Sequence, residues 1–152
     1  MTRVQIVNGI RDYFAIKSEN KYIAEGYKCV QNHMDLPNKY PSYYYTAFEA
    51  DGLRELKPQL NIYQIAVDEN LRRLGYGVKI FQELLKECFA RGCEGRITVD
   101  SALFKSNIHP NPFYYKIGFM HSPSQKIILP DCDTFMHLPK ENIEFLRNYG
   151  NS

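Results

Sequence analysis

A chain of 152 residues, 44% hydrophobic and 24% charged, has the length of one domain and enough material to bury a core. Its 14% aromatic content and the lack of any polar low-complexity tract exclude a disordered chain. Nineteen Lys and Arg against 17 Asp and Glu leave a net charge of +2, which argues against a nucleic-acid partner, and no stretch approaches the ~20 apolar residues of a membrane helix.

In chain order, the first 40 residues read as helical. Ile23, Tyr27, Val30 and Met34 recur at spacings of four, three and four, one face of a helix. Ile10, Tyr13 and Phe14 mark a shorter helix before it. After Pro37 and Pro41, the aromatic run from Tyr43 to Ala50 reads as a strand, with Asp51-Gly52 as a turn. Leu53 to Leu56 is either a returning strand or a helical turn. Leu60 to Val67 reads as a largely buried strand. A Gly-containing loop, Asp68 to Gly77, leads into an amphipathic helix with Val78, Phe81, Leu84, Leu85, Cys88 and Phe89 on one side. Arg91-Gly92 stops that helix, and Arg96 to Ser101 is the next strand. Strand, helix and strand in about 40 residues form a parallel crossover. Asn107 to Phe119 holds a Pro-interrupted turn or short helix. Lys126 to Leu129 and Thr134 to Leu138 are short strands, and Pro139 opens a last helix carrying Ile143, Leu146 and Tyr149 on one face. The order predicts a mixed α/β (α+β) fold over residues 1–152 as one domain. The cysteines, Cys29, Cys88, Cys93 and Cys132, form no C-x-x-C, and the first ten residues lack a leader's apolar stretch. Together these predict a cytoplasmic protein with free thiols.

The most informative stretch is Val67-Asp-Glu-Asn-Leu-Arg-Arg-Leu-Gly-Tyr-Gly-Val78. It lies between a buried strand and a helix N-terminus, where unpaired N–H groups and the helix dipole favour an anion. Gly75 and Gly77 allow close approach to the backbone, and Arg72 and Arg73 add charge. The P-loop and Rossmann patterns are both absent. Arg72-x-x-Gly75-x-Gly77 instead resembles the phosphate loop of the GCN5-related N-acetyltransferase (GNAT) superfamily. A second segment, Pro112-Phe-Tyr-Tyr-Lys-Ile-Gly-Phe119, is similar to that family's F-Y-x-K-x-G-F motif and follows the crossover as it does there. Asn107 stands seven residues before Tyr114, as a common Asn of the family does. The resemblance spans about residues 60 to 120. It departs at Glu69, where Pro is frequent, at Arg73, where Gly is frequent, and at Pro110, where a small residue is common. Pro110 and Pro112 are expected to shorten or distort the helix carrying Tyr114.

The resemblance implies a mixed, mostly antiparallel sheet with one parallel βαβ crossover and flanking helices. It also implies transfer of an acetyl group from acetyl-CoA to a primary amine by direct attack. The CoA pyrophosphate would sit on the N–H groups of Arg73, Leu74, Gly75, Tyr76 and Gly77, with Arg72 at the rim and Asn107 nearby. Pantetheine would follow the backbone of Ile65, Ala66 and Val67, and the Val67 N–H would face the thioester carbonyl as an oxyanion donor. Tyr114 matches the general acid that protonates the leaving thiolate; Tyr115 is expected to point elsewhere. Histone-type members carry Glu at the position of Asn61, which cannot act as a base. Glu49, Asp68, Asp100, His109 and His137 remain as candidates. The four histidines show no metal-binding spacing, so no metal is expected. The resemblance implies an amine on a small molecule, peptide or protein as acceptor. Two rivals are a non-catalytic CoA-binding module and a toxin-type enzyme acetylating aminoacyl-tRNA through a stripe of Arg72, Arg73, Lys79, Lys86, Arg91 and Arg96. A homodimer fits domains of this kind. As a strand, Tyr43 and Tyr45 would share one face and Tyr44 the other; one face would join the core and the other line an acceptor pocket, core packing being the main role.

Overall fold

A computed structural model describes residues 3–31, 58–68, 71, 75–102, 108–121 and 134–150. The expected Tyr43–Ala50 strand, the Asp51-Gly52 turn and the Lys126–Leu129 strand lie outside these residues. The chain opens with three strands, β1 (Val4–Asn8), β2 (Tyr13–Ser18) and β3 (Lys21–Gln31), paired antiparallel in sequence. Helices were expected here, and the composition of β3's buried face explains the difference. Positions 24, 26 and 28 of β3 are buried with a period of two, but they are Ala24, Gly26 and Lys28. A glycine and a lysine on a buried face hide the strand's alternation from any hydropathy reading, and the intervening apolar residues then imitate a helix period.

Lys28 is only 3% exposed because it has partners. Its ammonium stands 2.6 Å from the Glu87 carboxylate, donates to Asn8 Oδ1 and lies 5.1 Å from the centre of the Phe14 ring. Burial lowers the lysine's pKa and the Glu87 carboxylate opposes that shift.

β4 (Gln59–Val67) pairs antiparallel with β3 and leads to helix α1 (Tyr76–Ala90), which returns the chain to β5 (Ile97–Ser101), parallel to β4. This is the expected crossover. Helix α1 buries Ile80, Phe81, Leu84, Leu85 and Cys88, whereas Phe89 is exposed. It ends as the sequence indicates. Gly92 takes a left-handed φ of 79°, and the Cys93 N–H reaches back to the Cys88 carbonyl at 2.9 Å. Helix α2 (Asn111–Lys116), β6 (Met120–His121), β7 (Thr134–His137), a 3-10 turn at Lys140–Asn142 and α3 (Ile143–Arg147) follow. Gln82 of α1 donates to the carbonyls of Leu146 and Tyr149, both at 3.1 Å, and so fastens the last helix to the first.

Among the described residues the strands form one sheet in the order β1-β2-β3-β4-β5-β7-β6. Only β4 and β5 run parallel. The core lies between this sheet and α1, with Phe14, Ile16, Leu60, Ile62, Ile97 and Val99 meeting Ile80, Leu84 and Leu85. Cys29, Cys88 and Cys93 are free thiols. Among the described residues no helix is long and apolar enough to cross a membrane.

Candidate active site

The parallel pair is short. β4 and β5 are in register through Leu60–Ile97, Asn61–Thr98 and Ile62–Val99, and there the pairing stops. From Tyr63 to Val67, β4 continues beside β3; Asp100 and Ser101 of β5 continue beside β7. The sheet therefore forks between its two parallel strands. Ligands of α/β sheets bind beyond the C-terminal ends of parallel strands, and the fork opens that end.

A bulge sets the fork. Tyr27 of β3 faces Gln64 and Lys28 faces Ile62, so Tyr63 is the extra residue of β4. Opposite the bulge stands Gly26. A Cβ there would lie 2.2 Å from the Gln64 carbonyl oxygen and 2.9 Å from Ile65 Cα. Only glycine admits this approach, a requirement the sequence reading missed.

The bulged segment then turns one peptide edge toward the gap. The Asp68 N–H donates to Ile23 O at 2.7 Å, so the β3 ladder uses the peptide edges of Ala66 and Asp68. Those of Ile65 and Val67, alternating with them, point the other way, to the side β5 has left. The expected pantetheine-binding residues Ile65 and Val67 thus present backbone polar groups to the fork, while Ala66 presents its own to β3. Val67, Asp68 and Ala66 also line a pocket of about 530 Å³ with Tyr13, Glu25 and Ala24.

Helix α1 begins past the end of β4. Gly75 precedes it with a left-handed φ of 84° and offers no side-chain cap, which leaves first-turn N–H groups directed outward. Gly77 has a different reason. A Cβ there would meet the Phe113 ring at 2.9 Å, so its bare face is filled by an aromatic ring of α2 rather than kept for a ligand. The two motifs read separately in the sequence are packed against each other at this point. Arg72, Arg73, Leu74 and Asn107 lie outside the described residues; Tyr76 is the first residue of α1.

Tyr114 is 3% exposed. Its ring packs edge-on against Phe81 of α1 (5.4 Å between centres) and against Phe119 (5.7 Å). Burial, then the charge of Asp100, pushes its phenol above the ordinary tyrosine value. Such a group stays protonated at neutral pH, as a proton donor must. Tyr115 turns away and bonds His121 Nδ1 at 3.0 Å. The prolines do not distort α2. Pro110 is its N-cap and Pro112 lies in its first turn, where the helix leaves N–H groups unpaired in any case, and the Tyr114 N–H reaches Pro110 O at 3.1 Å. Asn111, missed in the sequence, is 1% exposed and ties α2 to both neighbouring strands. It accepts from Ser101 Oγ and donates to Thr134 Oγ1 at 3.4 Å.

Of the candidate bases, Asp100 sits at the fork. Asn61 Nδ2 donates to Thr98 Oγ1 at 2.9 Å and to Asp100 Oδ1 at 3.2 Å. Asp68 is exposed at the end of β4, His109 Nδ1 accepts from the Asn111 N–H at 3.3 Å, and His137 is buried in β7. Glu49 lies outside the described residues. Three members of the expected basic stripe are paired with acids. Lys86 meets Glu83 at 3.0 Å, Arg91 meets Glu87 at 3.7 Å, and Arg96, 9% exposed, meets Glu94 at 3.5 Å. Among the described residues no group of three His, Cys, Asp or Glu is placed to hold a metal ion.

A fork edged by backbone polar groups, a helix N-terminus led by a left-handed glycine and a buried phenol suit a CoA thioester. No curated protein matches the chain in sequence. Among solved structures, AtaTR bound with AcCoA aligns with a TM-score of 0.53 at 13% identity, over 88% of this chain and 70% of that one. AtaT complexed with acetyl-methionyl-tRNAfMet aligns at 0.55 and 14% identity, over 88% and 74%. Chaetomium thermophilum Naa20 in complex with a bisubstrate analogue aligns at 0.51 and 15% identity, over 87% and 67%. At these identities the likeness is one of fold. A sequence profile described as the Acetyltransferase (GNAT) family matches residues 32–119, more than half of the chain and a longer span than the two motifs cover. The chain therefore belongs to the GNAT family of acetyltransferases.

Proposed function

We propose that residues 1–152 act as one cytoplasmic domain that transfers an acetyl group from acetyl-CoA to a primary amine. The observation that carries this reading is the fork: β4 leaves β5 after Ile62 and turns the peptide edges of Ile65 and Val67 into the gap. Pantetheine would extend along that edge. The Val67 N–H would stabilise the thioester oxygen as it gains charge, a contribution typically of about 3–4 kcal/mol. Arg72, Arg73 and the segment Leu74 to Gly77 would hold the pyrophosphate, and Asn107 would lie beside the cofactor. Tyr114 would give its proton to the departing thiolate.

The acceptor divides this reading in two. A small-molecule or peptide amine fits the balanced charge. An aminoacyl-tRNA is favoured by the likeness in fold to AtaT, whose complex holds acetyl-methionyl-tRNAfMet; a net charge of +2 is too weak a premise to set nucleic acid aside. Against that acceptor, the acidic partners of Lys86, Arg91 and Arg96 neutralise much of the basic stripe.

The test is transfer of labelled acetyl from acetyl-CoA to a panel of methylamine, spermidine, a lysine-bearing peptide and methionyl-tRNA. Label on one class of acceptor is the expected result. Tight acetyl-CoA binding with no transfer would replace the enzyme with a CoA-binding module. Absence of binding at millimolar acetyl-CoA would end the reading altogether.

A further inference from the structure

We propose that Asp100 accepts the proton of the incoming amine and that Asn61 holds its carboxylate in position across the mouth of the fork. The proposal rests on the acetyl-transfer reading and names the base that reading lacks.

Three observations carry it. The first is place. Asp100 follows Val99, the last residue of β5 paired with β4, so it is the first residue of β5 beyond the split. The second is face. Lys28 pairs with Glu87 of α1, which marks the helix side of the sheet, and Ile62 stands in register beside Lys28. Asn61, next in β4, therefore points to the opposite side, where its amide binds both Thr98 and Asp100. Tyr114 packs on the helix side, its ring against Phe81, and the charge of Asp100 acts on its phenol. The proposed acid and base thus lie on opposite faces of the sheet, the phenol assigned to sulfur and the carboxylate to the amine. The third is the partner. At position 61 an amide donates a hydrogen bond to Asp100; a glutamate there would set two like charges together. Asn61 thus supports the Asp100 carboxylate from the neighbouring strand.

Among the described residues, three titratable or polar groups stand near Asp100 on the elements packed beside it. From β4 it meets Asn61, and from α2 its charge acts on the Tyr114 phenol. His137 of β7 is in register with Thr98 on the same face. Burial raises the Asp100 pKa and the Asn61 hydrogen bond lowers it, with burial the larger effect. A raised value brings a carboxylate closer to the range useful for a base.

The step balances. The ammonium gives one proton to Asp100, and the freed nitrogen pair attacks the thioester carbon. Collapse of the tetrahedral intermediate breaks the C–S bond, and the thiolate takes a proton from Tyr114. The nitrogen's second surplus proton replaces the one Tyr114 gave up, and Asp100 passes its own to water. Ammonium and acetyl-CoA become amide, CoA and one released proton.

The experiment compares wild type, Asp100→Asn and Asn61→Leu with whichever amine of the panel above turns over fastest. Expected for Asp100→Asn is acetyl-CoA affinity like wild type, a kcat lower by about a hundredfold or more, and no acid limb in the pH profile. Its melting temperature should hold or rise, since a desolvated charge is removed. A merely structural Asp100 would instead lower it. Asn61→Leu should keep activity at high pH and move the acid limb upward, because the bond that lowers the Asp100 pKa is gone. Turnover of Asp100→Asn within threefold of wild type, or an acid limb unmoved in both variants, overturns the proposal. A wild-type chain that acetylates none of the panel sinks the transfer reading, and the Asp100 proposal falls with it.

Discussion

The two ends of the β4–β5 pair are built from different chemistry. At the closed end, Leu60, Ile62, Ile97 and Val99 are at most 1% exposed and pack against α1. At the open end stand a bulge, backbone edges turned into a gap, an aspartate with an amide partner and a phenol. The closed end is a core like any other, and most of its worth is burial. The open end gives up the β4–β5 pairing after Ile62 and is only partly buried from Ile65 to Val67. The proposed site is made by ending a strand pair early, and Gly26 and Tyr63, which set the bulge where it ends, are not the residues proposed to react.

Three substitutions separate the two ends. The largest effect is expected at the closed end. Lys28→Ala leaves Glu87 beneath the sheet without its ammonium, and breaking a buried pair from one side costs about 3–5 kcal/mol. Asn8 and Arg91 still reach Glu87, at 3.2 and 3.7 Å, which favours the lower figure. Denaturant unfolding should show this loss, and acetyl-CoA affinity of the folded fraction should not change. Tyr114→Phe acts on the open end alone. The ring stays packed, so the melting temperature should hold, while kcat should fall by about a hundredfold. In wild type, the raised phenol pKa keeps Tyr114 protonated beyond pH 10, so this group should contribute no alkaline limb below that pH. Gly26→Ala acts on the hinge between the ends. Its Cβ would press on the Gln64 carbonyl, and overpacking costs about 1–3 kcal/mol. It should weaken acetyl-CoA binding as well, because relieving the clash moves the bulge. A variant that lost stability and kept its affinity would mean that the bulge does not set the fork.

Much of the C-terminal half was legible in the sequence, for a physical reason. The β4–α1–β5 unit carries its own signals: a long apolar strand, a helix with one apolar face, and glycines at both helix ends. The two motifs around it agreed with the family profile. The N-terminal half was misread because β3 buries Gly26 and Lys28 in place of large apolar residues, and the pairing of Lys28 with Glu87 links positions 59 apart, beyond any local pattern. At the site, Gly75 was read for its conformational freedom, which its φ of 84° uses. Gly77 was read as room for a ligand, and the Phe113 ring occupies that face. Asp100 stood in the sequence as one of five candidates. Its bond to Asn61 depends on strand register, which no spacing along the chain encodes.

In the proposed function, the peptide edge of Ile65 and Val67, turned out by the bulge, receives acetyl-CoA. Backbone amide signals followed by NMR during an acetyl-CoA titration test it most directly. The Ile65 and Val67 amides should shift and gain protection from hydrogen exchange, while Leu60 and Ile62 at the closed end stay as they were. Saturable binding that leaves Ile65 and Val67 unchanged would contradict it.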